Sequence, residues 1–350
     1  MNDIFIQDRK IGLNEPAFII AELSCNHLND FSIVEKTVQE AAKSGVDALK
    51  MATLTPDTMT IDSTKSDFII QADSKWDGRS FYDLYSETSM PYEWHEKIQK
   101  MCNDLGLICF STPYDITAAE FLEGLNVPAY KIASFEISDI PLIKKVASFG
   151  KPVILSTGIA KKNEIDDAIE ACRSVGNEEI VLLKCTSGYP APFEQINLRT
   201  IKSFQKDYNV IPGLSDHTLG IEVPIAAVAL GARVIEKHII LDRSLGGPDA
   251  HFSLEPAEFK MLVNTVRNIE KSLGRETYEL TESSKQSRDF MRSLYVVIDV
   301  KEGEPFTAEN VRSIRPGYGM APKNYEKILG KRASQDIERG TPLSENLIKA

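Results

Sequence analysis

Eight short apolar runs recur between Ala17 and Ile239, and their alternation with helical patterns constrains the fold more than any other feature. They are AFIIAEL (17–23), VDALKM (46–51), LICFST (107–112), AYKIAS (129–134), PVILST (152–157), IVLLKCT (180–186), VIPGLSD (210–216) and RVIEKHI (233–239). Each has the length and the β-branched content of one strand. Between them lie amphipathic stretches such as FSIVEKTVQEAAKSG (31–45) and EWHEKIQKMCNDLG (93–106). Their apolar residues fall at three- and four-residue steps and they end in glycine, as helices do. Strands alternating with helices imply parallel β-α units. Eight such units in about 250 residues predict a closed (β/α)8 TIM barrel. The alternative is an open doubly wound sheet, which has fewer units and a glycine-rich first turn. The turn after Leu23 is SCNHLND, without that glycine pattern.

The connection from Ala52 to Pro91 is too long for an ordinary turn and ends in the aromatic-bearing KWDGRSFYDLYSETSMPYEW. A long loop after a barrel strand lies on the face where catalysis occurs. It is either part of a site or a lid that packs on the rim. The barrel is expected to span 1–280, followed by a polar linker over 281–292 and a small domain over 293–350. That last segment holds a weak repeat. DVKEGEPFTAEN begins at Asp299 and DIERGTPLSEN at Asp336, and both carry D-[VI]-x-x-G-x-P-[FL]. Such a repeat predicts a pseudo-symmetric unit of turns and short strands.

Net charge of −11 and a pI near 5.1 argue against a nucleic-acid partner, which needs a basic face. They leave room for a locally basic cleft. No apolar run approaches the ~20 residues that span a bilayer, and MNDIFIQDRK lacks the pattern of a signal peptide. Five cysteines with no C-x-x-C spacing do not form a disulfide framework or a zinc knuckle. A reducing cytoplasm is the expected compartment.

Barrel catalysis uses the C-terminal ends of several strands. Here those ends carry Glu22, Lys50, Thr112, Lys131 with Ser134, Ser156 with Thr157, Lys184 with Thr186 and Ser187, Ser215 with Asp216 and His217, and Glu236 with His238. Alternation sends about half of them away from the axis. Any single hydroxyl reads as a helix N-cap. Several hydroxyls with two or more lysines read as a cradle for phosphate and carboxylate oxygens, helped by the helix N-termini that follow. His217 and His238 end adjacent strands, ~4.8 Å apart, so two imidazoles can share one metal. Two ligands leave the site open to water and substrate. The other reading is that both histidines hydrogen-bond the anion. His27, His95 and His251 look ordinary, and His95 is expected near the surface of its helix.

Eight segments become specific when read together: FIIAELSCNH, FSTPYD, AYKIASFEISDIPLI, ILSTGIA, LKCTSGYPAP, GLSDHTLG, GARVIEKHIILDRSLGGPD and RSIRPGYG. In this order they resemble the sialic acid synthase family, barrel enzymes that condense phosphoenolpyruvate with an N-acetylated amino sugar. The tail from about Ser293 is similar to the family's SAF domain, which resembles type III antifreeze protein. KIASFEISDIPLI, WDGRSFYDLY and LDRSLGGPDAHFSLEP resemble the pseudaminic acid synthases within that family. The sugar that this resemblance implies is 2,4-diacetamido-2,4,6-trideoxy-L-altrose.

Roles follow from the resemblance position by position. It implies that His217 and His238 hold a divalent metal, usually Mn2+, with Mg2+ or Co2+ as substitutes. It implies a phosphoenolpyruvate cradle of Lys50, Thr112, Lys131, Ser134, Ser156, Ser187 and Ser215. Tyr189 and Asp249 match sugar-contacting positions, and Glu22 matches the acid near the reacting carbons. Glu236 is read as catalytic or as a group that orients His217 or His238. Arg315 matches an arginine that reaches from one subunit's SAF domain into the other's barrel, which implies a domain-exchanged homodimer. The sequence departs from the family at Ala52, where a glutamine is common, and at Cys25, where a small residue is usual. The competing functions are the same reaction on another amino sugar, as in the N-acetylneuraminate or legionaminate synthases, a Schiff-base aldolase using Lys131 or Lys184, and a non-catalytic carbohydrate- or ice-binding protein.

Overall fold

Apolar runs with no polar face need cover on both sides, and the chain supplies it by alternating each strand with a helix. The computed structural model describes residues 3–71 and 76–349, so 72–75, including Lys75 at the start of the aromatic segment, lie outside the described residues. Two compact units result, Met1–Gly274 and Arg275–Ala350.

The first unit opens with an antiparallel hairpin, β1 (Ile4–Ile6) and β2 (Arg9–Ile11). Eight parallel strands follow: β3 (Phe18–Glu22), β4 (Ala48–Thr53), β5 (Ile108–Pro113), β6 (Tyr130–Ile132), β7 (Val153–Ser156), β8 (Ile180–Cys185), β9 (Ile211–Asp216) and β10 (Val234–His238). They pair in chain order, and β10 closes on β3, giving the barrel that the alternation predicts. Alternate residues feed two apolar clusters: β3 gives Phe18 and Ile20 to one, and Ile19 and Ala21 to the other. Ile4, Ile6 and Ile11 of the hairpin join the cluster of Phe18.

Register sets which side chains meet. Glu22 on β3 stands opposite Lys50 on β4 and His238 on β10. Cys185 stands opposite Ser215, and Asp216 opposite Lys237. Caps fix where the helices start and stop. Asp30 accepts from Ser32 N at the head of the helix Phe31–Ser44, and Gly45, at φ 82°, ends it in the left-handed region that glycine takes without strain.

The long connection after β4 folds into helices Pro56–Met59 and Phe81–Thr88, joined by a bridge between Ile69 and Ser80. Asn29 Nδ2 donates to the Glu87 carbonyl (3.1 Å), and His27 Nε2 lies 3.3 Å from the Thr88 carbonyl. The insertion is thereby tied to the turn after β3. One expectation fails here. His95 is buried, not near the surface: its Nε2 lies 2.8 Å from Thr53 Oγ1, which in turn meets Ser111 Oγ at 2.6 Å. The helix Tyr92–Asp104 buries His95, Ile98 and Cys102 on one face, so the histidine occupies an inward helical position. Burial pulls its imidazole down to about 4.

In the second unit, β11 (Ser293–Val296) and β12 (Val311–Ile314) pair antiparallel around a core that includes Leu294, Val296, Phe306 and Leu343. The two repeats face each other. Val300 and Ile337 exchange both backbone hydrogen bonds. Asp336 Oδ1 accepts from Glu302 N (2.8 Å) while Asp299 Oδ1 accepts from Arg339 N (2.7 Å). Each repeat's aspartate thus caps the other's turn. The segment expected to be a linker holds a short helix, Glu282–Ser287. Among the described residues no helix is long and apolar enough to cross a membrane.

Candidate active site

The C-terminal ends of the barrel strands and the insertion enclose a cavity of about 420 Å3. Alternation sorts the polar strand ends. Glu22, Lys50, Lys131, Ser156, Ser215, Glu236 and His238 line the cavity, as do Ser134, Ser187 and His217 just beyond their strands. Lys184 and Thr157 line a different cavity. Lys237 turns away to pair with Asp216 at 2.5 Å, fully buried.

Lysines and carboxylates interleave on one side of the cavity. Lys50 Nζ touches the Glu22 carboxylate and lies 2.9 Å from Thr112 Oγ1. Thr112 is buried behind that lysine and does not itself line the cavity. Glu236 accepts from Ser215 Oγ (3.0 Å) and lies 3.4 Å from Lys131 Nζ and 3.8 Å from Lys50 Nζ. Burial pulls the Lys50 ammonium down to about 7, opposed by the Glu236 charge and assisted by Lys131. Burial also disfavours a charged Glu236, but Lys131, Lys50 and Ser215 outweigh it and hold that carboxyl at about 2. Glu236 therefore serves the lysines. No hydrogen bond joins it to either histidine among the described residues, which corrects the reading of it as their orienting group.

The hydroxyls form a second group. Ser134 and Ser187 Oγ are 2.7 Å apart, and Ile159 N donates to Ser134 at 3.2 Å. Ser156 Oγ is buried and has no partner among the described residues, so a donor stands ready for a ligand oxygen. Gly158 makes this arrangement possible: a Cβ there would lie 2.1 Å from Ser187 Oγ and 2.2 Å from Ser134 Oγ.

His217 and His238 face each other with ring centroids 5.3 Å apart. Tyr189 stacks obliquely on His217 at 4.6 Å, and Phe252 packs against both imidazoles. His217 Nδ1 lies 3.2 Å from the Thr186 carbonyl, which can only accept. Nδ1 therefore carries the proton, and the Nε2 lone pair is left for an electrophile. Burial, then the His238 charge, hold this imidazole down at about 3, so it stays neutral as a metal ligand must. His238 Nδ1 lies 3.3 Å from Asp249 Oδ2, at an angle outside hydrogen-bond geometry. A carboxylate behind a ligating imidazole is the usual support for a metal site. Asp249, matched by resemblance to a sugar contact, thus stands next to the second histidine. No cluster of three or more histidine, cysteine or acidic side chains fit for a metal occurs among the described residues. The pair nevertheless fits a divalent ion that takes its remaining ligands from substrate and water.

Sequence reading passed over one group. Glu136 follows β6 in the quoted KIASFEISD, lines the cavity, and is largely buried with no hydrogen-bond partner for Oε2 among the described residues. Burial, outweighing the nearby Lys131 charge, pushes its carboxyl up to about 7. Its signal was an acid four residues beyond a strand, but the 3-10 turn that aims it inward is not visible in a strand pattern. Arg315 lies in the second unit, exposed just after β12.

Residues 37–278 match the NeuB family and residues 292–349 the SAF domain. The chain is 45% identical over 341 residues to the pseudaminic acid synthase of Campylobacter jejuni subsp. jejuni serotype O:23/36 (strain 81-176), covering 97% of this chain and 99% of that one. It is 43% identical to the pseudaminic acid synthase of Helicobacter pylori (strain ATCC 700392 / 26695), covering 96% and 98%. Among solved structures, the N-acetylneuraminic acid synthetase of Leptospira borgpetersenii serovar Hardjo-bovis in complex with citrate superposes with a TM-score of 0.73 at 31% identity, over 82% of this chain and 95% of that one. With a matching barrel, a matching tail and relatives this similar along nearly its whole length, the chain belongs to the NeuB family.

Proposed function

We propose that this protein is a pseudaminic acid synthase, joining phosphoenolpyruvate to 2,4-diacetamido-2,4,6-trideoxy-L-altrose with release of phosphate by C–O cleavage. The observation that carries the reading is the convergence of Lys50, Lys131 and the His217–His238 pair on one cavity. The pseudaminic acid synthases that it resembles support the choice of sugar. A Schiff-base lysine needs an unpaired amine, whereas Lys50 and Lys131 lie among carboxylates and Lys184 lines another cavity.

Lys50 and Lys131 hold the carboxylate and phosphate of phosphoenolpyruvate, with Ser156 and the free proton of the Ser134–Ser187 pair donated to the remaining oxygens, while Ser215 donates to Glu236. Thr112 holds Lys50 in place. His217 and His238 would hold a divalent metal, Mn2+ by resemblance, which when bound supplies Lewis-acid polarisation of the sugar carbonyl. Asp249 orients His238, and Tyr189 packs on His217 where it can also contact the sugar. The enol electrons of phosphoenolpyruvate form the new carbon–carbon bond from C3 to the aldehyde carbon, and C2 becomes cationic. Glu136, protonated near neutral pH, gives its proton to the sugar oxygen. Water adds at C2 and passes one proton to Glu22; the C2–O bond to phosphate then breaks, the C2 hydroxyl gives its proton to the departing phosphate, and a ketone remains. Glu236 keeps both lysines aligned. The reaction runs in the cytoplasm. It needs a homodimer in which Arg315 of each SAF domain completes the other subunit's site.

The test follows phosphate release from phosphoenolpyruvate and Mn2+ with one sugar at a time: the diacetamido-trideoxy-altrose, its mannose-configured counterpart and N-acetylmannosamine. Chelator-sensitive release with the altrose sugar alone is expected. Release with another sugar in its place overturns the substrate, and release that survives chelation overturns the metal.

A further inference from the structure

The cavity has two chemically unlike sides. Among the described residues, every charged group that lines it comes from the barrel strands or the turns that follow them, outside the insertion. The wall built by β4 and the insertion is different. It presents the apolar Ala52, Leu54, Met59, Ile70, Phe81 and Leu84 together with Trp76, Tyr85 and Thr88, and among the described residues of 52–90 no charged or amide side chain lines the cavity. Ala52 and Leu54 are buried at the end of β4, whereas Met59, Phe81 and Leu84 are half-buried on the two helices of the insertion. That wall is held in place. Tyr82 Oη donates to Asp57 (3.2 Å) between the two helices, Arg79 pairs with Glu87 (2.6 Å), and His27 and Asn29 tie the second helix to the turn after β3.

The reacting end of the sugar has to lie beside the lysines and imidazoles, so its far end is the part that meets the opposite wall. A hydroxyl pressed against the six apolar side chains loses its water and finds no partner among them. A methyl group there gains by leaving water. We infer that the insertion is the specificity wall of the site: its apolar side chains receive the C6 methyl end of a 6-deoxy sugar and reject the 6-hydroxy counterpart. This rests on the synthase reading and deepens it. The lid is then part of the substrate pocket and does more than cover the rim.

The experiment compares kcat/KM for the 2,4-diacetamido-2,4,6-trideoxy-altrose with that for the same sugar bearing a 6-hydroxyl, both by phosphate release. The wild type is expected to favour the deoxy sugar by about 10–100-fold, the range an apolar pocket reaches against an added hydroxyl. Met59→Gln and Leu84→Gln, each nearly volume-conserving and half-buried, are expected to shrink that ratio by about tenfold, chiefly through the sugar KM. The KM for phosphoenolpyruvate should stay near the wild-type value, which separates a changed wall from a damaged fold. A wild-type ratio near one, or a ratio that neither variant changes while the deoxy sugar still turns over, overturns the inference alone. No turnover with either sugar overturns the synthase reading and the inference with it.

Discussion

Single residues in this site are set by what lies behind them. Glu136 is the clearest case, because it has neither a lysine contact nor a hydrogen-bond donor for Oε2 among the described residues, and burial pushes its carboxyl from an ordinary 4.5 to about 7. The protonated form is favoured by the folded chain. The associated stabilisation is therefore full below about pH 4.5 and is lost as pH rises through about 7. Glu136→Gln should be the more stable protein at about pH 8, by on the order of 2 kcal/mol, with the gap closing towards acid pH; thermal melts of both proteins across this window read it. In the proposed mechanism the same proton is the one given to the sugar oxygen. Wild-type kcat/KM should fall on the alkaline side near pH 7, and Glu136→Gln should flatten that limb while lowering kcat by roughly 100-fold or more. An alkaline limb that persists in the variant would assign it to another group.

Pairs of strands do what no residue does alone. His217 and His238 can face each other because β9 and β10 run in register, and a buried clamp pins that register. Lys237 Nζ meets Asp216 Oδ2 at 2.5 Å and donates to the Thr218 carbonyl at 2.7 Å, one position away from each histidine. Removing one partner leaves a buried charge unpaired, which costs about 3–5 kcal/mol. Lys237→Ala should lower urea stability by that amount. If it lowers stability by less than about 1 kcal/mol, the clamp is not what holds these strands together. Strand alternation also explains why Lys184, equal to Lys131 on a list of strand ends, is absent from the cavity: it points out where Cys185 points in.

At the scale of the whole molecule, the proposed homodimer would have each SAF domain complete the other subunit's barrel. Arg315 is exposed on the second unit. Exchange between subunits gives a specific expectation. His217→Ala and Arg315→Ala should each be inactive alone, yet mixing and reassociating them should restore about a quarter of wild-type activity, since one site in each mixed dimer receives an intact barrel and an intact arginine. A mixture that stays inactive, although mixed dimers form, would place each arginine over its own barrel.

The number and order of the strands, the parallel barrel and the repeat in the tail follow from local pattern. Apolar runs and turn residues act over a few positions and do not depend on distant partners. The two histidines were legible for the same reason, since adjacent strands of a barrel must bring their ends together. What depended on tertiary structure were the contacts between residues far apart in the chain. Glu236 went to the lysines and not to a histidine, Asp249 came to stand beside His238, and His95 was drawn inward to Thr53. Glu136 gained its role from the 3-10 turn that aims it and from the burial around it. The insertion's wall likewise exists only once helices on either side of 72–75 dock on the rim. A sequence shows which groups are available at strand ends; closure of the barrel decides which share one cavity, because desolvation and pairing energies arise only when distant segments exclude water together.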